Sequence, residues 1–219
     1  MVVFFMNETN NKFRVEIKYF VNPNNFLNLN EYLLTNFKFQ EIYKQRKINS
    51  VYFDTHDLKF ISDNLSGSSL RKKFRLRWYN NDQTNIFAEV KIKKNIANTK
   101  IRKKIPHDEI SKINNDLYKS KILLKYFSQE KLFPKIEISY LRNYFYYKGI
   151  IITVDKELTF TSILNKQNQK KINYNIIELK FPYNDLKKFN QINLKLPFRV
   201  SRNSKYVLGM SALNHARYI

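Results

Sequence analysis

Residues 70–79 read LRKKFRLRWY, and in a strand the odd-numbered members of that run share one face. Arg71, Lys73, Arg75 and Arg77 then form a line of cations, with Leu70, Phe74, Leu76 and Trp78 on the opposite face and Lys72 the one charge among them. Successive cations in such a line stand about 7 Å apart and repel by roughly 2 to 3 kcal/mol at an effective dielectric of 20. Repulsion of that size has to be solvated or matched by anions. The next two strand candidates repeat the arrangement: in IFAEVKIKK (86–94) Glu89, Lys91 and Lys93 oppose Ala88, Val90 and Ile92, and in TKIRKKI (99–105) Lys100, Arg102 and Lys104 oppose Ile101 and Ile105. Three neighbouring strands of one polarity turn their charged faces to a common side. An open sheet makes that side a basic plate, and a closed one makes it a basic-lined tunnel.

Outward from this centre the chain alternates strands with a few helices. A first strand reads from Phe13 to Val21, and Asn22-Pro23 then opens a helix with the apolar stripe Phe26, Leu29, Leu33 and Phe37. Lys47 to Thr55 reads as a strand, followed by an irregular stretch whose turn is Ser66-Gly67-Ser68-Ser69. Beyond the basic strands come a helix over Asp108 to Gln129, two long strands (Lys135 to Tyr147 and Gly149 to Glu157) about the turn Lys148-Gly149, and a strand over Asn173 to Pro182. A short helix near Asp185 and a final one from Ser204 complete the reading. About eight strands on short connections predict an α+β fold, a large antiparallel sheet or barrel with helices packed outside. Residues 13–219 form a single domain in this reading, and residues 1–12 an N-terminal extension.

Composition narrows the function classes. Forty Lys and Arg against eighteen Asp and Glu give the 219-residue chain a formal charge of +22. With 43% hydrophobic and 16% aromatic residues it is not a disordered polybasic tail. The crowding of Lys, Asn, Ile, Tyr and Phe also fits an AT-rich coding bias, so the placement of the cations is more informative than their total. The absence of Cys excludes disulfides, thiolate catalysis and Cys-ligated zinc. His56, His107 and His215 lack the pair spacing of a zinc site and read as surface or loop residues. No apolar run is long enough to span a membrane, and the opening MVVFFM has neither the cationic flank nor the length of a signal. A cytoplasmic protein is expected, with a membrane-protein partner at the inner face of a membrane left open.

Glu-x-Lys occurs on three of the strands, as Glu16 and Lys18, Glu89 and Lys91, and Glu178 and Lys180. Such carboxylates serve either as charge partners on a solvated surface, worth a few tenths of a kcal/mol per pair, or as ligands for a divalent metal that bridges phosphate oxygens.

FRVEIKYFV, SVYFDT, FRLRWY, AEVKIKK, ISYLRNYF, ITVDKELTF, IIELKFP and SKYVLGMSAL follow one another in this chain. In that order and spacing the sequence resembles the VTC domain, the catalytic domain of vacuolar transporter chaperone polyphosphate polymerases, within the triphosphate tunnel, or CYTH-like, metalloenzymes. The resemblance runs from Phe13 to Leu213. It implies a tunnel of antiparallel strands in which ATP gives its γ-phosphoryl group to inorganic polyphosphate, with Mn²⁺ or Mg²⁺ as cofactor. On the matching motifs, Lys18 is implied as a first-strand phosphate ligand and Arg75 and Arg77 as the pair on the transferring phosphates. Lys91 and Arg142 join them as catalytic residues, while Arg71, Lys73, Lys93, Lys100, Arg102 and Lys205 extend the phosphate lining. Glu178 is implied as metal ligand, with Glu16 and Glu89 as further candidates. A tunnel triphosphatase and a non-catalytic polyphosphate-binding module are the alternatives, and nucleic acid is disfavoured by the Glu among the cations. The sequence departs from the family pattern at Ile151 and Asn64, where relatives carry arginine.

Overall fold

Alternation builds this fold. The computed structural model describes residues 14–25, 29–94, 97–110, 121–123, 125, 127, 130–182, 196–201 and 204–215. Its strands are β1 (Arg14–Val21), β2 (Gln40–Asp54), β3 (Leu70–Tyr79), β4 (Asp82–Lys94), β5 (Ala97–Lys104), β6 (Phe133–Tyr147), β7 (Ile150–Ser162), β8 (Gln169–Ile172), β9 (Asn175–Pro182) and β10 (Val200–Ser201). Its helices are α1 (Leu29–Phe37), α2 (Lys59–Leu65), α3 (His107–Ile110) and α4 (Lys205–Ala212). The strands join one sheet in the order β10-β1-β9-β7-β6-β2-β3-β4-β5, with β8 added on β7.

The two ends of that order meet. Lys91 of β4 lies 2.5 Å from Glu16 of β1, so the sheet curls until strands far apart in the order exchange an ion pair. Side chains close the concave face here, because β1 and β5 approach without a strand pairing between them among the described residues.

Parity fixes what lies on each face. In β3, Phe74 and Leu76 are buried on the convex side with Val51, Phe53, Ala88, Val90 and Ile105. Helical residues 121–123 cover this patch through Ile122 and Leu123. On the other half of the convex side, α1 buries Leu29, Leu33 and Phe37 against Val21, Ile152, Leu179 and Phe181. These helices pack outside, as expected. Helix α4 does not: Tyr206, Val207 and Met210 pack with Ile136, Ile138 and Phe160. Ile136 and Ile138 stand directly opposite Tyr52 and Ser50, whose hydroxyls bond Arg75 and Arg77, so α4 occupies the concave face. Gly209 permits the approach, since a Cβ there would lie 2.6 Å from Phe160 Cδ1 and 2.7 Å from Ile136 Cδ1.

Several boundaries differ from the sequence reading. The helix expected to open at Asn22-Pro23 is a single 3-10 turn over Pro23–Asn25, with α1 beginning at Leu29, and β4 begins at Asp82 rather than Ile86. Strand β2 begins at Gln40 rather than Lys47, because its exposed first half pairs with β6 through two register shifts that break strict alternation. The stretch read as irregular contains α2. Its N-terminal N–H groups are satisfied from upstream: Asp54 Oδ1 and Oδ2 accept from Phe60 and Ile61, and Thr55 Oγ1 accepts from Lys59. The residue at the cap itself, Leu58, is left-handed at φ 59° and gives no cap signal. Strand β7 runs on to Ser162 through a bulge that places Glu157 at φ 54°, and the short β8 and β10 raise the count to ten strands. Phe26, most of the helix expected over 108–129 and the one near Asp185 lie outside the described residues.

Candidate functional site

The cations of β3 and β5 converge on one buried carboxylate. Glu89, 1% exposed, has Arg75 Nη2 at 2.6 Å and Arg77 Nη1 at 3.9 Å from Oε2, and Lys100 Nζ at 2.8 Å and Arg102 Nε at 3.4 Å from Oε1. Burial alone would push the Glu89 pKa up, but Arg75, Arg77 and Lys100 hold it well below the usual carboxylate range. Hydroxyls fix the arginines. Arg75 donates to Tyr52 Oη at 2.8 Å, and Arg77 to Ser50 Oγ at 3.0 Å and Tyr140 Oη at 3.2 Å. The Tyr52 ring is in turn stacked on Tyr206 of α4, whose hydroxyl donates to Asp54 at 2.7 Å. Partial desolvation, with the charges of Arg75 and Arg77 nearby, brings the half-exposed Lys100 down to a pKa of about 8 in spite of Glu89.

A second group sits across the concave face. Arg142 grips the fully buried Asp155 with two parallel bonds, of 2.5 Å and 2.7 Å, and Lys205 Nζ reaches the same carboxylate at 2.5 Å. Glu178 lies beside them, 3.1 Å from Lys180, 3.6 Å from Lys18 and 3.8 Å from Arg142. Burial opposes ionisation of Asp155 and Glu178, and the surrounding cations overcome it, so both carboxyls are held below their usual range. Burial and the charge of Glu178 push Glu16 up, and Lys91 with Lys180 more than offsets them.

Cations remain in excess after these pairings. Lys73 Nζ bonds Ser204 Oγ at 2.8 Å and has no carboxylate partner among the described residues. Burial, with Lys18, Lys91, Arg71 and Arg75 nearby, drives its pKa well below the lysine range. Arg102 Nε is buried and, although 3.4 Å from Glu89 Oε1, makes no hydrogen bond among the described residues. The N-terminus of α4 opens at Ser204, which gives it no side-chain cap, and the positive end of the helix favours an anion. A chain of phosphate oxygens would supply what these donors lack.

No three of His, Asp or Glu converge on a metal site among the described residues. The donor set instead fits a hard divalent cation that completes its shell with phosphate oxygens. Glu16 and Glu178 project from adjoining strands, and the buried Thr153 Oγ1, opposite Glu178, has no hydrogen-bond partner among the described residues. Glu89 is gripped more closely than Glu178, with Arg75 at 2.6 Å and Lys100 at 2.8 Å on its two oxygens, and acts as the counterion of an arginine clamp.

The structure thus gathers Lys18, Lys73, Arg75, Arg77, Lys91, Lys100, Arg102, Arg142, Lys205, Glu16, Glu89 and Glu178 about one face, with Arg71 and Lys93 paired cross-strand at its edge. Ile151 also points to this face, directly opposite Lys180. Asn64 does not: its amide donates to Phe60 O inside α2, and Lys59 pairs with Glu130 at 2.8 Å on the surface. Asp155, Lys180, Tyr52, Tyr140 and Ser204 belong to the site and were absent from the residues proposed on sequence. For Lys180 the signal was present in the repeated Glu-x-Lys. For Tyr52 it was not, because its role depends on α4 lying inside the sheet.

The family model for the VTC domain matches residues 13–214. A search of curated proteins gave no match. Among solved structures, PH1819 from Pyrococcus horikoshii OT3 is 18% identical with a TM-score of 0.53, covering 90% of this chain and 97% of that one. HpAC1 from Hippeastrum, described with a dominant triphosphatase activity, is 13% identical with a TM-score of 0.57, covering 91% and 95%. A candidate adenylate cyclase from Vibrio parahaemolyticus is 13% identical with a TM-score of 0.56, covering 91% and 99%. At these identities the likeness is one of fold.

Proposed function

The chain belongs to the VTC domain family, and from that premise we propose that it is a phosphotransferase moving the γ-phosphoryl group of ATP onto a growing inorganic polyphosphate chain. The observation that carries the reading is the inward-facing set of basic side chains, in excess over its carboxylates and centred on Arg75, Arg77, Arg142 and Lys73, which has no carboxylate partner among the described residues. Phosphoryl transfer asks a protein chiefly for alignment and charge stabilisation. Arginines held by Glu89, Asp155 and tyrosine hydroxyls are preorganised forks for phosphate oxygens, and the lysines are movable point charges. A terminal oxygen of the acceptor chain bonds to the γ-phosphorus as the bond to the β,γ-bridging oxygen breaks, and ADP departs with that electron pair.

Glu178 and Glu16, with Thr153, would hold the divalent cation, which when bound offsets charge on the phosphate oxygens. Glu16, Glu89, Asp155 and Glu178 are all held below their usual pKa range, so these four carboxylates are poor bases for activating water. An anionic phosphate acceptor carries no proton to remove and needs no base. The test is incubation with ATP and Mn²⁺ or Mg²⁺ followed by sizing of the products. Long phosphate chains, lost in Glu178→Gln, are expected. Orthophosphate without chains would replace this reading with a triphosphatase, the activity described for HpAC1.

A further inference from the structure

Beside the charged groups, the concave face changes character. Where β2 runs past the end of its pairing with β3, Tyr43 stands directly opposite Tyr144 and Arg46 directly opposite Arg142. Tyr43 is 40% exposed, its ring edge-on to Tyr144 at 5.6 Å, and the Arg46 guanidinium lies 5.0 Å over it. Arg46 has no carboxylate partner among the described residues. The strand edge is also open: β2 pairs with β3 only over Ile48–Phe53, and Lys47 bonds Asn80, so residues 40–46 have no strand on that side among the described residues. A half-exposed aromatic ring, a planar cation stacked on it and unpaired backbone donors and acceptors form a surface for a flat heteroaromatic group. Arg142, which grips Asp155 and reaches towards Glu178, connects this rim to the phosphate-binding groups.

We propose that Tyr43, Arg46 and Tyr144 form the subsite for the base of a nucleoside triphosphate. The base is held at this rim while the phosphates extend inward past Arg142 towards Arg75 and Lys73. This rests on the reading of the concave face as a phosphate site, and it adds a reason for the protein to prefer a nucleotide to bare triphosphate. The cations alone cannot make that distinction.

Calorimetric titration with two probes, ATP and inorganic tripolyphosphate, tests it. Stacking on an aromatic ring is worth enough that Tyr43→Ala should weaken ATP binding about 5- to 100-fold. Tripolyphosphate binding should stay within about twofold, and Tyr43→Phe should retain ATP affinity. Arg46→Met should show the same split, reduced to the extent that its charge also draws phosphate. Equal weakening of both probes by Tyr43→Ala, or of neither, would overturn the base subsite while leaving the phosphate site standing. Wild-type protein that binds neither probe would remove both.

Discussion

Glu89→Gln removes the one carboxylate that four cations share. Arg75, Lys100, Arg102 and Arg77 approach it to 2.6, 2.8, 3.4 and 3.9 Å. At 2.8 Å the gross attraction of one such pair is about 6 kcal/mol at an effective dielectric of 20, most of it offset by desolvation of the buried groups. Removing one partner of a buried ion pair costs about 3 to 5 kcal/mol, since the remaining charges lose their counterion. For a chain of this length that lowers the melting temperature by about 6 to 20 °C. Thermal unfolding followed by circular dichroism at neutral pH, with and without tripolyphosphate, measures it. The variant should melt lower without the ligand and gain more from it than the wild type does, because the added anion takes the place of the carboxylate. The pH dependence carries a second signature. A depressed carboxyl pKa gives stability that is present above the ordinary glutamate value of about 4.3 and is lost as pH falls towards the folded value. Wild-type protein should therefore lose stability below about pH 4.5 more steeply than the variant. A variant melting within about 2 °C of wild type would refute the clamp, as the smallest cost argued here exceeds that shift.

Two further outcomes follow from the geometry. Gly209→Ala forces a methyl group to within 2.6 Å of Phe160 and 2.7 Å of Ile136, and should destabilise the protein by about 1 to 3 kcal/mol as α4 is lifted from the sheet; unchanged thermal unfolding would contradict the seating of that helix. With Lys100 near a pKa of about 8, polyanion binding should pull the amine back to its charged form. Tripolyphosphate titrations near pH 8 in two buffers of different ionisation enthalpy should show proton uptake, affinity should fall as pH rises through 8, and Lys100→Met should reduce the uptake.

Strand parity made much of this site legible in advance. LRKKFRLRWY placed Arg75 and Arg77 on one face because alternation is a property of backbone geometry, independent of what lies across the concave face. The location of their counterion was not readable in the same way. Glu89 could be read as a metal ligand or as a surface partner, and only the pairing of β4 between β3 and β5 puts it among four cations. Arg46 and Tyr43 were hidden by the register shifts in β2, which scramble the period of two on which the reading depends. Helix α2 escaped because Asp54 and Thr55, four or more residues ahead of the amides they bond, do the work of a cap. Ile151 marked a missing arginine in the linear comparison; the sheet sets Lys180 opposite it, a neighbour no linear reading supplies.

The pairing of β1 bears on how the protein is made. Among the described residues, 14–21 find their strand partners only in 175–182 and 200–201, and Lys73, Tyr52 and Asp155 receive Ser204, Tyr206 and Lys205 from a helix and its cap later still. During synthesis the early strands therefore wait, with an unpaired edge, for most of the chain to emerge. Such long-range closure is slow and exposes the nascent chain to association with its neighbours. It also means that a ribosome-bound fragment carries the arginines of β3 with Ser50, Tyr52 and Glu89 but without Asp155, Glu178 and Lys205, so ligand capture is deferred until the polypeptide can close around the anion.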